Sequence, residues 1–295
     1  MLRDWIEAMR PRTLPVSAAG VLTAIGFAVW QGTFKLIPAA LCFIFALLAQ
    51  IVSNFANEYY DYKRGTDKKG RVGPKRGVTE GTITPGKMKT VTYATLALAC
   101  IVGLALIPFG GWWLIIAGIF IAIFALAYSA GPYPLSYHGL GDLAVLVFFG
   151  LVPVNLTYYI QSGQWNLNVF LASVSIGLLA VNVLLVNNYR DMEDDKEAGK
   201  NTTVVIFGRK SASVLYLFNG YIAMALLVPV TFLELTVLNF IPIIIYLILH
   251  TVTWYKLTML KGSALNPILG ITARNMLLFS LLFFIFIVLT PIIHL

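Results

Sequence analysis

Two short stretches of the chain hold the side chains best suited to chemistry. In NFANEYYDYKRGTD, residues 54–67, Asn54, Asn57, Glu58 and Asp61 follow one another at steps of three, one and three; in NNYRDMEDDKEAGKNT, residues 187–202, Asn187, Asp191 and Asp195 are spaced four apart. Positions three and four apart share one helical face, so each stretch predicts a polar stripe along a helix end. Carboxylates gathered this closely repel one another and lose hydration beside apolar neighbours. An unpaired acid at the centre of a spanning helix costs about 3 kcal/mol. A hard dication relieves both penalties, and Mg²⁺ is the natural candidate. It takes oxygen ligands, uses one or two carboxylates, keeps water and completes its shell with substrate phosphates. Two such ions on a diphosphate would draw electron density toward the leaving group.

The elements that must position these stripes are membrane-grade. Of 295 residues 59% are hydrophobic and only 12% charged, whereas soluble domains carry about 25% charged residues. Mean hydropathy is +0.82. On the ruler of about 20 apolar residues per span, the sequence predicts nine spanning helices, centred near Ala24, Phe45, Ala99, Ile119, Phe149, Leu178, Ala225, Ile245 and Phe284. The first apolar run has no convincing small-residue cleavage site before it, which predicts a retained span. The two stripes follow the second and sixth spans. They therefore reach the same face in the same orientation, which predicts an internal repeat of four-helix units.

Charge fixes the expected topology. Of 21 Lys and Arg, 20 fall before span 1 or between spans 2 and 3, 6 and 7, and 8 and 9, with Lys35 alone on the other side. The positive-inside rule then places the N-terminus and both acidic stretches in the cytoplasm and the C-terminus outside. That distribution reads as a surface facing anionic lipid, not nucleic acid. Nine of the 13 acids lie in the two cytoplasmic segments between spans 2 and 3 and between spans 6 and 7; Glu234 is the one on the outer side. The basic, glycine-rich YKRGTDKKGRVGPKRG, residues 62–77, predicts a mobile loop able to close over an anion, with Lys75 and Arg76 best placed for phosphate; Arg190, Lys196 and Lys200 repeat the theme. Asp142 opens span 5, where it reads as an N-cap or an acceptor-side group. Cys42 and Cys100 read as buried free thiols, and His250 and His294 as structural.

The pair of stretches resembles the UbiA superfamily of intramembrane aromatic prenyltransferases, whose motifs are NDxxDxxxD after helix 2 and DxxxD after helix 6. Here these read Asn57-Glu58-Tyr59-Tyr60-Asp61 with Asp67 following, and Asp191-Met192-Glu193-Asp194-Asp195. RPRTLPVS, GPKRGVTEGTITP, AYSAGPYPLSYHGLGD and the two stretches themselves resemble the 1,4-dihydroxy-2-naphthoate branch of menaquinone synthesis. Two departures stand out. Glu58 occupies a position where Asp is usual, and the Lys that some members carry four residues after a loop Tyr is replaced, Tyr133 being followed by Tyr137 and His138.

The resemblance implies a single membrane-embedded domain over residues 1–295, an all-α bundle with cytoplasmic cap segments at 58–89 and 188–211. It implies a multi-pass cell-membrane enzyme that joins a polyprenyl diphosphate to 1,4-dihydroxy-2-naphthoate by ionisation, the ring attacking the allylic cation and losing a proton and CO₂. Asn57, Glu58, Asp61, Asp191 and Asp195 would ligate two Mg²⁺ ions. Asn54, Lys63, Lys75, Arg76, Arg190 and Lys200 would contact the diphosphate and prenyl group, and Tyr133 would face the cation. Asp67, Asp142, Asn187, Tyr60, Tyr137 and His138 are further candidates. Other acceptors, 4-hydroxybenzoate or homogentisate, define one alternative. A cation transporter is another, though its site would lie near the bilayer midplane, whereas these acids cluster at one face. Removal of divalent ions, and Asp61→Ala or Asp191→Ala, are each expected to abolish turnover, since no neighbour on the same helix face replaces the lost ligand; a full rate in EDTA or in either variant refutes the reading.

Overall fold

The computed structural model describes residues 2–234 and 237–293, with the side chains of 232–237 and 290–293 left aside. Among the described residues every regular element is helical. A short helix α1 (Leu2–Ala8) precedes α2 (Pro15–Trp30), which begins at a proline suited to a first helical turn. Then come α3 (Leu36–Arg64), α4 (Gly77–Glu80), α5 (Pro85–Leu104), α6 (Ile107–Gly110) and α7 (Leu114–Ala127). Helix α8 (Gly141–Val145) runs through a π-helical stretch, Leu146–Leu151, into α9 (Val152–Ser162). The chain ends with α10 (Leu167–Glu197), α11 (Thr203–Glu234), α12 (Phe240–Met259) and α13 (Asn266–Ile293).

Each of the nine expected span centres falls in a helix, with α8 and α9 forming one continuous segment. Among the described residues, seven helical segments are long and apolar enough to cross a membrane; Pro15–Trp30 and Leu114–Ala127 are apolar but shorter. The protein is thus a multi-pass membrane protein. Its most buried spanning helix is α10, which packs chiefly on α11, while α2 packs on α13 and α3 on α5.

Length explains how the stripes leave the membrane. At 1.5 Å per residue, α3 with 29 residues and α10 with 31 are each about 45 Å long, against a hydrocarbon core of about 30 Å. Two to three turns of each overshoot, and those turns carry the acids. Helix α3 stops at Gly65, left-handed at φ 72°, with Lys63 and Arg64 in its last turn, where cations meet the negative helix end. Helix α10 starts at Asn166, whose side chain accepts from the amides of Asn168 and Val169.

The π-helical stretch has a packing partner. Gly150 lies against the backbone of Gly177 so closely that a β-carbon on it would collide with the Gly177 Cα and the Ser173 carbonyl. This contact lets α8 approach α10, so that both bring polar residues to one end of the bundle. Two thiols were expected to be buried: Cys42 is, but Cys100 is exposed, on the part of α5 that lines an apolar groove with Leu96, Gly103 and Leu104. His250 is buried, stacked between Tyr216 and Tyr246 at centroid distances of 4.7 and 5.4 Å, as a structural histidine should be. His294 and the Glu234 side chain lie outside the described residues. Gly150→Val is expected to cost about 3 kcal/mol through overpacking, read as a lowered unfolding midpoint in detergent; an unchanged midpoint contradicts the close α8–α10 approach.

Candidate active site

The overshooting ends of α3 and α10 meet around a cavity of about 520 Å³. Asn54, Asn57, Glu58 and Asp61 from α3 line it, and Asn187, Asp191 and Asp195 face them from α10. The two helical stripes expected from spacing are therefore one site. Glu193 and Asp194, off the stripe, are exposed.

Cations hold the acids. Asp61 is buried and receives Lys200 Nζ at 2.8 Å, the Tyr137 hydroxyl at 2.9 Å and Asn57 Nδ2 at 3.1 Å. Asp191 is gripped by its neighbour Arg190, Nε at 2.6 Å and Nη2 at 2.7 Å, and by Arg71 Nη2 at 3.1 Å. Arg71 also reaches Asp67 at 3.3 Å, and Arg76 spans Asp67, at 3.6 Å, and Asn57 Oδ1, at 3.2 Å. Asp195 makes no hydrogen bond or salt bridge to the protein among the described residues. In buried pairs of this kind, loss of one partner costs about 3–5 kcal/mol because the other is stranded.

Seven cations, Arg10, Arg12, Arg71, Lys75, Arg76, Arg190 and Lys200, line the cavity beside six acids. Arg10 adopts φ 57°, the one non-glycine residue described in the left-handed region, and its guanidinium bonds to Asn57 Oδ1 while its Nε is buried without a hydrogen-bond partner. Burial, then Arg76 beside it, pull Arg10 down to about 9, against an opposing pull from Glu58. Burial and Arg71 likewise lower Arg76. Lys200 goes the other way: burial alone would lower it, but Asp61, with Tyr137 and Asp195, outweighs this and raises it. Burial, then Asp61, push Tyr137 up, so it remains a protonated donor. Arg10 Nε and Arg76 Nε, both buried without a hydrogen-bond partner, are donors that an anion in the cavity can take.

Several sequence expectations are corrected here. The segment after α3 was expected to be a mobile lid whose arginines find anions only with ligand present; it is docked already. Asp67 and Asp191 supply the anions, Asn266 Nδ2 holds the Val72 carbonyl at 3.1 Å, and Gly73 lies against the Arg190 guanidinium, leaving no room for a side chain. Lys75 lines the cavity, but Lys63 is exposed and does not. Tyr133, expected to face a cation, is 58% exposed and stacks on His138 at 3.5 Å outside the cavity, because His138 Nδ1 is bound to the Pro134 carbonyl and Arg64 to the carbonyls of Ser129 and Gly131. Tyr60 pairs with Tyr93 away from it. Tyr128 takes the inward place. Asp142 lies in the first turn of α8 but caps nothing; it accepts from the Thr203 hydroxyl. Glu58 accepts the Val78 amide at 3.0 Å, fully buried, and so braces the chain leading into α4. Arg10 and Asn266 were missed as site residues; RPRT was the signal for the first, and the second, a lone Asn at a helix start, gave none.

No three acidic, His or Cys side chains among the described residues gather closely enough to hold a metal ion. Lys200 holds Asp61 and Arg71 holds Asp191. The donor chemistry nonetheless suits a hard dication: three carboxylates and a carboxamide oxygen face one cavity, and Asp195 is uncommitted.

A membrane helical bundle with two acid-bearing helices converging on a cationic cavity is the architecture of one family, and the chain belongs to it: the UbiA prenyltransferase family matches residues 19–267. Among its relatives is the 1,4-dihydroxy-2-naphthoate octaprenyltransferase of Escherichia coli strain K12, 38% identical over 95% of this chain and 93% of that one. The Haemophilus influenzae protein of the same name is 33% identical over 96% and 94%. The fold matches a UbiA homolog from Archaeoglobus fulgidus bound to DMAPP and Mg²⁺, with a TM-score of 0.69 at 17% identity, covering 95% of this chain and 99% of that one.

Glu58 separates bracing from ligation. Glu58→Gln keeps an acceptor for the Val78 amide and is expected to retain most turnover, while Glu58→Asp withdraws the oxygen by a methylene and is expected to loosen residues 65–80 to trypsin. A Gln variant as inactive as Asp61→Ala would restore Glu58 to the metal ligands.

Proposed function

We propose that the protein transfers a polyprenyl group from polyprenyl diphosphate to 1,4-dihydroxy-2-naphthoate, releasing diphosphate and CO₂ and giving demethylmenaquinol. The supporting observation is that the charged cavity adjoins an apolar groove of about 300 Å³ between α3, α5, α7 and the π-helical stretch, the two sharing Gln50, Ser53, Tyr128, Val145 and Phe149 as a common wall. A diphosphate joined to a long hydrocarbon is the molecule such a pair of chambers accommodates. The names of the Escherichia coli and Haemophilus influenzae relatives supply the acceptor, and the Archaeoglobus fulgidus homolog bound to DMAPP and Mg²⁺ supports the donor and the ion.

On this reading Asn57, Asp61, Asp191 and Asp195 would hold two Mg²⁺ ions, which when bound would supply electrostatic withdrawal of charge from the diphosphate leaving group. Arg10, Arg71, Lys75, Arg76 and Lys200 bind and orient the diphosphate oxygens and stabilise the charge that accumulates on them. Asn57, held by Arg10, Arg76 and Ser129, keeps its place as the cations shift toward the incoming anion. The apolar wall, with Phe148 and Phe149 of the groove, excludes water from the cation, and Tyr128 presents a ring face at the junction. The whole chain acts as one membrane domain. Its cap segments, 58–89 and 188–211, lie on the cytoplasmic side with the N-terminus, because the basic residues gather there.

Incubation with Mg²⁺, a polyprenyl diphosphate and a panel of 1,4-dihydroxy-2-naphthoate, 4-hydroxybenzoate and homogentisate tests the assignment. Prenylation of the naphthoate alone, with release of CO₂, is expected. Preferential prenylation of another acid overturns the acceptor.

A further inference from the structure

Asp142 is a carboxylate of the charged cavity that stands outside its ion-pair scheme. Asp142 gives Oδ2 to the Thr203 hydroxyl, but Oδ1 is buried and has no hydrogen-bond partner, and among the described residues no cation pairs with it. Buried carboxylate oxygens are almost always matched to donors, so an unmatched one that lines a cavity invites a donor from a ligand. Lys200, Arg71 and Arg76 reach Asp61, Asp67, Asp191 and Asn57, and not Asp142. An O–H or N–H of a ligand matches the unpaired oxygen.

Position narrows the choice. Val145, one turn beyond Asp142 on the same helix, lines both the charged cavity and the apolar groove, as does Tyr128, whose hydroxyl lies against Gly141 next to Asp142. A prenyl diphosphate with its head in one chamber and its tail in the other places the allylic carbon at this shared wall. The acceptor ring must reach that carbon, and its hydroxyl groups come with it.

We propose that Asp142 is the catalytic residue on the acceptor side, its Oδ1 taking the proton of the naphthoate hydroxyl adjacent to the attacking carbon. This rests on the function proposed above and supplies the proton acceptor for it. An ionised hydroxyl pushes electron density onto the neighbouring ring carbon, which makes that carbon the nucleophile. The allylic carbon–oxygen bond breaks and its electron pair leaves with the diphosphate. A ring π pair forms the new carbon–carbon bond at the carbon bearing the carboxylate, and the hydroxyl proton resides on Asp142. Loss of CO₂ from that carbon returns an electron pair to the ring. Asp142 then gives its proton back to the ring oxygen and ends as a carboxylate, with nothing oxidised or reduced. Thr203, by donating to Oδ2, holds the carboxylate in place and is a positioning residue.

Asp142→Asn retains the size of the side chain and an oxygen for Thr203. The variant and the wild type are assayed with Mg²⁺, a polyprenyl diphosphate and either 1,4-dihydroxy-2-naphthoate or its 1-methyl ether, which lacks the proton in question. With the naphthoate, kcat of the variant is expected to fall about 100-fold or more while its KM for the prenyl diphosphate stays within about twofold. The ether is expected to slow the wild type strongly and the variant little, because the two changes remove the same interaction. A variant with wild-type kcat, a parallel loss of prenyl diphosphate affinity, or equal slowing of both proteins by the ether overturns the assignment. A wild type inert toward the naphthoate overturns the proposed function and this inference together, whereas an active wild type with an equally active variant overturns this inference alone.

Discussion

The structure turns on the attraction between acids on α3 and α10 and the cations set between them. Asp61 and Asp191 sit on helices whose backbones are separately satisfied, and nothing in helical hydrogen bonding requires their ends to meet. Lys200, from the turn after α10, crosses to Asp61 of α3; Arg71, from the segment after α3, crosses to Asp191 of α10. This reciprocal exchange ties each stripe to the connecting segment of the other. In a medium of low polarity the attraction is far stronger than in water, and so is the penalty for losing one member. The charged end is thus a fixed scaffold of paired charges, and an incoming anion competes for cations already in place.

That arrangement explains why the remainder of the cap is ordered. Glu58 ties the chain entering α4 to α3 through the Val78 amide, Asn266 ties Val72 to the start of α13, and Tyr137 carries the connection between α7 and α8 onto Asp61 and Thr66. Each link joins a connecting segment to a helix end by a hydrogen bond to a fixed group. Two of these links end on residues 54–67, at Glu58 and at Asp61 with Thr66, so the first polar stripe anchors the cap as well as forming part of its chemistry.

The sequence made the helices and both stripes legible because their signals are local: apolar length for a span, steps of three and four for a face. Asp61, Asp191 and Lys200 were readable for that reason. What it concealed depends on which direction a residue faces once distant segments pack. Glu58 shares the stripe of Asp61, yet the Val78 amide claims it. Tyr133 and Tyr128 are both aromatic residues near a helix end, and only the stacking on His138 and the turn at Gly131 decide that the first points outward. Arg10 needed its left-handed backbone and the nearness of Asn57 to be recognised. The docked state of residues 65–76 was hidden because glycines and lysines promise mobility, while the acids that hold Arg71 and Arg76 come partly from a helix more than a hundred residues away.

The apolar groove has a thermodynamic consequence of its own. Leu104, Ile115 and Ile119 belong to its lining and are also exposed on the outer surface of the bundle, so the chamber is open sideways to the hydrocarbon of the bilayer. A tail passing from lipid into such a groove exchanges one apolar environment for another and gains almost nothing from the hydrophobic effect. Added isoprene units therefore contribute little to affinity and meet no end wall. The head group alone sets how tightly the substrate is held, and the lengthened quinol, never exposed to water, disperses by diffusion in the plane of the membrane.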